Sequence, residues 1–135
     1  DKIIEIHGNA TESKCLNCEK KAGILDFHAA IMANDPLPKC FECGGIVKVA
    51  TISFGQPMNE NDMLRASNLS SQCDLMIVMG SSLSVMPAGQ IPNLAIQSGA
   101  KLVILNREET IYDPIADIVI NDELEIICGE LIKLI

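Results

Sequence analysis

The apolar positions of the chain follow two different rhythms, and the change falls after residue 73. In the first part, apolar residues alternate with polar ones or recur every three to four positions, as in half-buried strands and amphipathic helices. Pro36 and Pro38 are expected to end the first helix, because proline cannot continue one. The pattern predicts, in order, a strand over 3–8 that ends at His7, a helix over 22–35, a strand over 46–55 and a helix over 59–72.

The second part contains continuous apolar runs such as DLMIVMG and KLVILN. A run without alternation fits a strand that is buried on both faces of a parallel sheet. The helix between these two runs should stop at Gly99, because glycine suits the left-handed residue after a helix. The order of elements predicts an α/β fold. The predicted elements are a strand over 74–80, a helix over 89–100, strands over 101–106 and 115–121, and a helix over 122–135.

Composition narrows the class of protein. The chain has 135 residues, 48% of them hydrophobic, which suits one domain, or one domain with a small insert, and argues against wholesale disorder. No apolar run approaches the roughly 20 residues that span a bilayer, so we expect no membrane partner. The net charge of −8 repels phosphate backbones and disfavours nucleic-acid binding. We predict a cytoplasmic protein, or a nuclear one if the source is eukaryotic.

Four of the six cysteines form two C-x-x-C pairs, CLNC and CFEC. A two-residue gap lets one tight turn aim two sulfur atoms at a cation, and two such turns complete a tetrahedral site. Because four thiolates leave no position for a catalytic water, we predict a structural zinc ion. Its predicted ligands are Cys15, Cys18, Cys40 and Cys43. The lysines expected to offset the thiolate charge are Lys14, Lys20, Lys21, Lys39 and Lys48.

Two other uses of these cysteines stay open. Disulfides would leave Cys73 and Cys128 over in a chain that shows no signal peptide. A redox C-x-x-C usually occurs once, whereas this chain has a matched pair of them. Cys73 and Cys128 are expected to be plain buried thiols.

Small and polar residues follow three of the predicted strands, which is where ligands bind in open α/β sheets. GSSLS at 80–84 offers backbone and hydroxyl donors to a phosphate, although it also fits an ordinary strand–helix loop. Asn106, in NRE, could hold a ribose hydroxyl or simply cap a helix. INDEL at 120–124 is the third such segment, and the G-x-G-x-x-G fingerprint is missing from the chain.

His7 is the candidate for proton transfer. A neutral imidazole at the end of a strand could act as a general base near neutral pH. A lone histidine is nevertheless more often structural, and we expect that role for His28, inside the predicted zinc-module helix.

The segments EIHGN, C-x-x-C…C-x-x-C-G-G, TISFGQPM, CDLMIVMGSSLSVMPAG, AKLVILNRE and ADIVIND follow one another in this order. In that combination, which covers nearly the whole chain, the sequence resembles the sirtuins, the NAD-dependent protein lysine deacylases. The resemblance implies a Rossmann-like parallel sheet with helices on both faces, incomplete in this chain, plus a small inserted four-Cys zinc module. It assigns residues 1–9 and 49–135 to the partial NAD-binding domain and 10–48 to the zinc module.

The resemblance also implies a reaction and its residues. The acyl-lysine oxygen attacks C1′ of the nicotinamide ribose of NAD, nicotinamide leaves, and His7 takes a proton from the ribose hydroxyls on the way to O-acyl-ADP-ribose. The partner is an acyl-lysine protein or peptide that adds a strand to the enzyme. The residues that match the family's NAD contacts are Gly80, Ser81, Ser82, Asn106, Arg107, Glu123 and Leu124. Those that match its peptide groove are Ile52, Phe54, Gly55, Leu83, Ser84, Val85 and Met86.

The chain also departs from the family pattern. Gln56 stands where Glu is common and Ser53 where an aromatic is frequent, which should alter peptide preference more than chemistry. The family's Gly-Ala-Gly loop and QN-x-D segment do not occur, and the chain opens at Asp1. We therefore expect the C-terminal half to two-thirds of a sirtuin, with little or no catalysis from these 135 residues alone. The alternatives are a zinc-ribbon interaction module, or another NAD-using Rossmann enzyme such as an ADP-ribosyltransferase or a dehydrogenase.

Overall fold

The computed structural model describes residues 2–27 and 37–134. The chain divides into two compact units, Asp1–Asn59 and Glu60–Ile135. His28 and most of the predicted helix over 22–35 lie outside the described residues. None of the described helices is both long enough and apolar enough to cross a bilayer. The assignment of 1–9 and 49–135 to one domain and 10–48 to another stays a prediction.

The first unit contains a small antiparallel sheet in the order β2-β1-β3. Its strands are β1 (Gly8–Cys15), β2 (Lys21–Gly23) and β3 (Val47–Thr51). The buried cluster behind the sheet consists of Cys15, Phe27, Cys40 and Val47. Two of these four side chains are cysteines, so among the described residues the buried apolar cluster of this unit is small. A small apolar cluster gains stability from a cross-link in addition to hydrophobic burial.

Two predictions for the first unit are wrong. Residues 2–5 lie in no strand, because Gly8 adopts a φ of +67° and its amide donates to the Glu5 carbonyl at 2.8 Å, which turns the chain at His7. The helix predicted from residue 22 is wrong at its start. Ala22 instead pairs with Ser13 in the sheet, and its carbonyl accepts the Ser13 hydroxyl at 3.0 Å. A 3₁₀ turn over Ile24–Phe27 follows.

The second unit contains a parallel sheet in the order β4-β5-β6. Its strands are β4 (Leu75–Met79), β5 (Lys101–Leu105) and β6 (Ile118–Ile120), and its helices are α1 (Glu60–Ser70), α2 (Ile91–Gln97) and α3 (Leu124–Ile132). All six elements lie inside the predicted ranges and are one to several residues shorter. Gly99 ends the helix region as expected, with φ at +92°.

The core of the second unit lies on one face of the parallel sheet. It is built from Val78, Leu83, Leu102, Ile104 and Tyr112. The prediction that β4 is buried on both faces is wrong, because its alternate residues Leu75, Ile77 and Met79 are 51%, 49% and 47% exposed. In the described structure β4 is therefore half-buried, although its sequence lacks the alternation that usually marks such a strand.

Candidate functional site

The four C-x-x-C cysteines meet at one point of the first unit. Their Sγ atoms all lie within 4.8 Å of one another, with Cys15 and Cys43 3.5 Å apart and Cys18 and Cys40 3.7 Å apart. Tetrahedral coordination at about 2.3 Å per Zn–S bond places sulfur atoms about 3.8 Å apart. These distances are far beyond the roughly 2.05 Å of a disulfide, and all four thiols are free. The donor set fits zinc.

The two C-x-x-C segments share one backbone geometry. Cys15 donates its amide to the Lys20 carbonyl at 3.0 Å, and its own carbonyl accepts the Glu19 amide at 3.1 Å. In the second segment, Cys40 bonds in the same way to Gly45 at 2.7 Å and Gly44 at 2.9 Å. The fourth residue after the first cysteine has a positive φ in both, +60° at Glu19 and +69° at Gly44. Each segment is thus a tight turn that aims two thiols inward.

Amide donors favour the thiolate form of two of these cysteines. The Gly45 amide, 3.4 Å from Sγ, lowers the pKa of Cys43 to about 6. The Cys18 amide, 3.5 Å from Sγ, lowers the pKa of Cys15. Although the Lys20 amide favours its thiolate, the thiols of Cys43 and Cys15 hold the proton on Cys18 and raise its pKa to about 12. A divalent cation among the four would offset this mutual repulsion.

Three of the nearby lysines form ion pairs with carboxylates, although the pKa of Lys20, raised mainly by Glu42, is also raised by the charges of Cys40 and Cys18, as the sequence predicted. Lys14 pairs with Glu19 and Lys21 with Glu12, at 3.0 and 2.7 Å, and Lys20 pairs with Glu42. Lys48 bonds to the segment after β3 instead. Carboxylates and carbonyl oxygens therefore take up much of the positive charge that was expected to face the sulfur atoms.

A second site lies at the carboxyl end of the parallel sheet. A cavity of about 300 Å³ opens there, beyond the last residues of β4, β5 and β6. The ends of parallel strands meet at one edge of a sheet, which is why segments distant in the sequence come together. Six of the seven residues predicted to contact NAD line it; they are Gly80, Ser82, Asn106, Arg107, Glu123 and Leu124. The seventh, Ser81, lies in the same loop, and its hydroxyl accepts the Leu83 amide at 3.3 Å.

Backbone and side-chain bonds fix the floor of this cavity. Asn106 is nearly buried, and its side-chain amide donates to the Glu108 carbonyl at 2.7 Å. The Asn106 carbonyl accepts the Asn121 side chain at 3.1 Å, which joins the ends of β5 and β6. Gly80 has a φ of +62°, and a Cβ there would lie 2.9 Å from Leu124 Cδ1. The positive φ favours glycine at this turn, while the end of the Leu124 side chain would have to shift to admit a Cβ.

Charge at the rim of the cavity is arranged around Arg107. Its guanidinium lies 3.2 Å from a Glu123 carboxylate oxygen and 3.6 Å from one of Glu108. The bond to Glu123 raises the pKa of Arg107 above its ordinary value. All three side chains are exposed, so these ion pairs are weak and a ligand could displace them.

His7 and the segment after β3 are joined through the backbone. The imidazole of His7 is exposed, and its carbonyl accepts the Ile52 amide at 2.8 Å. Phe54 and Gly55 follow in an exposed turn, where Gly55 takes a φ of +84°. The predicted base and the predicted peptide segment are therefore one hydrogen bond apart.

The remaining predicted peptide residues lie after β4 in the second unit. Leu83 has a φ of +56°, its side chain is buried in the core, and its amide donates to the Ser81 hydroxyl at 3.3 Å. The Ser84 hydroxyl bonds to that of Ser82 at 2.8 Å. Val85 and Met86 are about half exposed. Their contact with a peptide stays a prediction.

Sequence reasoning missed the residues that shape the His7 turn. The Asn9 side-chain oxygen accepts three bonds, from the Thr11 amide, the Thr11 hydroxyl and the Glu12 amide, at 3.0–3.1 Å. Its amide nitrogen donates to Glu5 at 2.8 Å. Asn directly after a positive-φ glycine is a signal for such a turn. Lys48 was missed as a part of the neighbouring segment, and nothing in the linear spacing pointed to it.

The fold and these two sites define an α/β protein with a strand-end ligand cavity and a four-cysteine metal-type cluster. The family model described as "Sir2 family" matches residues 1–87. The chain therefore belongs to the Sir2 family, the sirtuins.

Individual relatives agree with the family match. The chain is 48% identical to "NAD-dependent protein deacetylase 1" of Bradyrhizobium diazoefficiens over 90% of its own length and 48% of that protein's. It is 40% identical to the "NAD-dependent protein deacetylase" of Sulfolobus acidocaldarius, over 97% of its own length and 51% of that protein's. A solved "Sir2-p53 peptide-NAD+" complex matches 98% of the chain with a TM-score of 0.91 and 36% identity, over 55% of that structure's chain. The chain thus spans about half the length of the relatives that it matches.

Proposed function

We propose that the natural protein carrying this chain is an NAD-dependent protein lysine deacylase. It cleaves NAD to nicotinamide and transfers the lysine acyl group to ADP-ribose. The observation that carries the proposal is the strand-end cavity, because six of the seven residues expected at NAD line it together. The named relatives, all NAD-dependent protein deacetylases, support the same reaction.

The proposed roles divide between the two sites. NAD supplies the C1′ electrophile and the leaving nicotinamide. The phosphates and ribose are proposed to contact Gly80, Ser81 and Ser82, with Asn106 and Arg107 beside them. In this role the buried Asn106 amide would be a positioned, low-entropy partner for a hydroxyl.

Glu123 and Leu124 are proposed to face the adenine edge. The adenine ring would cover the exposed Arg107–Glu123 pair and reduce its screening by water. His7 is proposed to take a proton from the ribose hydroxyls.

The partner is proposed to be an acyl-lysine protein or peptide. The segment Ile52–Gly55 directly follows β3, and its residues from Ser53 onward are exposed, which suits the addition of a peptide strand. Leu83–Met86 is the second proposed peptide contact. A solved relative described as "Sir2 bound to acetylated peptide" supports this class of partner.

Cys15, Cys18, Cys40 and Cys43 are proposed to hold one structural Zn²⁺. With four sulfur donors the ion has no open position, so it would stabilise the first unit and take no part in the reaction. The six free thiols suit a reducing compartment, which supports the proposed cytoplasmic or nuclear location.

The deciding experiment is titration of the 135-residue chain with ADP-ribose, alongside Asn106→Ala and, as a control, Asn68→Ala in α1. We expect saturable binding that Asn106→Ala weakens about ten-fold and Asn68→Ala leaves unchanged, since a lost buried hydrogen bond costs about 1–1.5 kcal/mol. No binding would favour a zinc-ribbon interaction module.

Product analysis of the full natural protein separates the enzyme classes. With NAD and an acetyl-lysine peptide we expect free nicotinamide and O-acetyl-ADP-ribose, and we expect His7→Ala to lose formation of the O-acetyl-ADP-ribose. NADH would indicate a dehydrogenase, and ADP-ribosylated protein would indicate a transferase.

A further inference from the structure

The ammonium of Lys48 holds together the segment that follows β3. It donates to the Thr51 carbonyl at 2.6 Å, the Ser53 hydroxyl at 3.0 Å and the Gln56 side-chain oxygen at 2.7 Å. A lysine has three protons to donate, and all three are used. The half-buried Lys48 thereby fixes both ends of the turn around Phe54.

Gln56 closes the arrangement from the other side. Its side-chain oxygen accepts the Ser53 amide at 2.9 Å as well as the Lys48 ammonium. Both neighbours are donors, so the amide oxygen and not the amide nitrogen must face them. The turn over 53–56 is therefore held by side chains, while Phe54 itself is 95% exposed.

The charge of Lys48 is not neutralised by these contacts. Its three acceptors are a carbonyl, a hydroxyl and a carboxamide, none of which is an anion. Among the described residues no carboxylate forms an ion pair with it, whereas Lys14, which lines the same cavity of about 240 Å³, is paired with Glu19. A net positive charge thus lies beside the exposed segment.

We propose that Lys48 and Gln56 together determine peptide preference: Lys48 positions the 52–56 segment and, because Gln56 is neutral, gives it a positive charge that favours acyl-lysine peptides with acidic flanking residues. Lys48 is a positioning residue, since it acts on the peptide through this segment. The inference rests on the proposed deacylase function and identifies the class of substrate that this site prefers.

A Glu at position 56 would keep the bond to Lys48 and cancel the charge. This separates the two effects of Lys48, because Gln56→Glu alters only the charge while Lys48→Met removes both the charge and the bonds. Lys48→Arg keeps a positively charged hydrogen-bond donor at this position. Lys21→Met is the matched control, since it breaks the Lys21–Glu12 ion pair in the same sheet without touching 52–56.

The test measures the affinity of the full natural protein for two acetyl-lysine peptides of equal length, one flanked by Asp and Glu and one by Lys. We expect the acidic peptide to bind about three-fold more tightly at low salt, the size expected of an exposed charge pair, with less preference in high salt. The expected affinity ratio is about one in Gln56→Glu and in Lys48→Met, and unchanged in Lys48→Arg and Lys21→Met.

Two further readouts keep the outcomes distinct. Lys48→Met should weaken the binding of both peptides and shift the NMR signals of the backbone amides of 53–56. Gln56→Glu should leave unchanged the part of the affinity that does not depend on the peptide's charge. An unchanged ratio in Gln56→Glu would overturn this inference alone. Failure of the wild-type protein to bind either peptide would overturn the proposed function, and the inference with it.

Discussion

The two units of the chain are stabilised by different means. The first has seven acidic and six basic residues and a buried cluster in which two of four side chains are cysteines. The second has eleven acidic and four basic residues and a purely apolar buried cluster of five. Because the described part of the first unit buries few apolar side chains, we expect it to depend on a cross-link such as a metal, whereas the second has the buried apolar core of an ordinary parallel sheet.

The charged side chains of the two units differ in their contacts as well as in their number. In the first unit Lys14, Lys20 and Lys21 form ion pairs, and Lys48 bonds to neutral acceptors. In the second unit the acidic excess leaves most carboxylates in water, where net charge favours solubility more than it favours folding. The first unit should therefore respond to metal and the second to packing, and this contrast can be tested directly.

The largest expected effect is loss of the metal. Replacing the buried ligand, Cys40→Ser, or adding a chelator should unfold the first unit while the second keeps its structure, because the binding energy of structural zinc amounts to about 10 kcal/mol. NMR spectra should lose the dispersed signals of β1–β3 and keep those of β4–β6. Cys73→Ser, in the second unit, is the control and should change neither set. Retention of β1–β3 without zinc would show that the first unit folds on its apolar core alone.

The second effect, a few kcal/mol, comes from the aliphatic core. Ile104 is 0% exposed, and Ile104→Ala should lower the free energy of unfolding of the second unit by about 2–5 kcal/mol through lost burial and a cavity. Denaturant unfolding with zinc content measured in parallel should show full zinc occupancy. Ile118 is 53% exposed and lies on the other face of the same sheet. Ile118→Ala should therefore lower the free energy of unfolding by less than about 1 kcal/mol. Equal losses from both substitutions would mean that the two faces are equally buried.

A smaller effect separates two adjacent glycines. A Cβ at Gly45 would lie 2.7 Å from Asn17 Cβ and 3.1 Å from Cys15 Sγ, whereas one at Gly44 meets nothing within 4 Å. Gly45→Ala should therefore distort the cluster, while Gly44→Ala adds only the roughly 1 kcal/mol strain of a positive φ. The visible spectrum of the Co²⁺-substituted protein measures this, and we expect a change for Gly45→Ala alone.

The smallest effect is a pH dependence of the stability of the second unit. Asp117 accepts the Lys101 ammonium at 2.7 Å and the Leu102 amide at 2.9 Å, and these bonds hold its pKa below the ordinary value of an aspartate. A lowered folded-state pKa means that the unfolded chain binds the proton more tightly, so the stabilisation exists above about pH 4 and is lost as the pH falls further. Asp117→Asn should flatten the stability profile of the second unit below pH 4. A profile that stays as steep as in the wild-type protein would assign the acid sensitivity to other carboxylates.

The accuracy of the sequence predictions also differs between the units. In the second unit, long apolar runs ending in Gly or Asn identified each element, and the strand ends led to the residues that line the cavity. The first unit was harder, because the local turn signal of Gly8 and Asn9 lies next to an alternating pattern that favours a strand, and the pairing of Ala22 depends on contact with β1. Linear spacing identified the cysteines but not Lys48, because its three acceptors, Thr51, Ser53 and Gln56, are neutral groups that form no recognisable motif.

The exposed side of β4 has a similar cause. A run such as LMIVM has the same sequence whether or not other residues cover its second face. Its hydrophobicity shows that both faces can be buried, but it does not show that both are. The resemblance to the sirtuins supplied the roles of His7 and of the peptide segment, which no periodicity could have provided.

The hydrogen bond between the Ile52 amide and the His7 carbonyl makes this amide a hydrogen-exchange probe of local opening. An amide exchanges its proton for deuterium only while its hydrogen bond is open. The exchange time of this one proton therefore reports how often the histidine turn and the strand end separate. The opening of this region can therefore be measured in the absence of substrate.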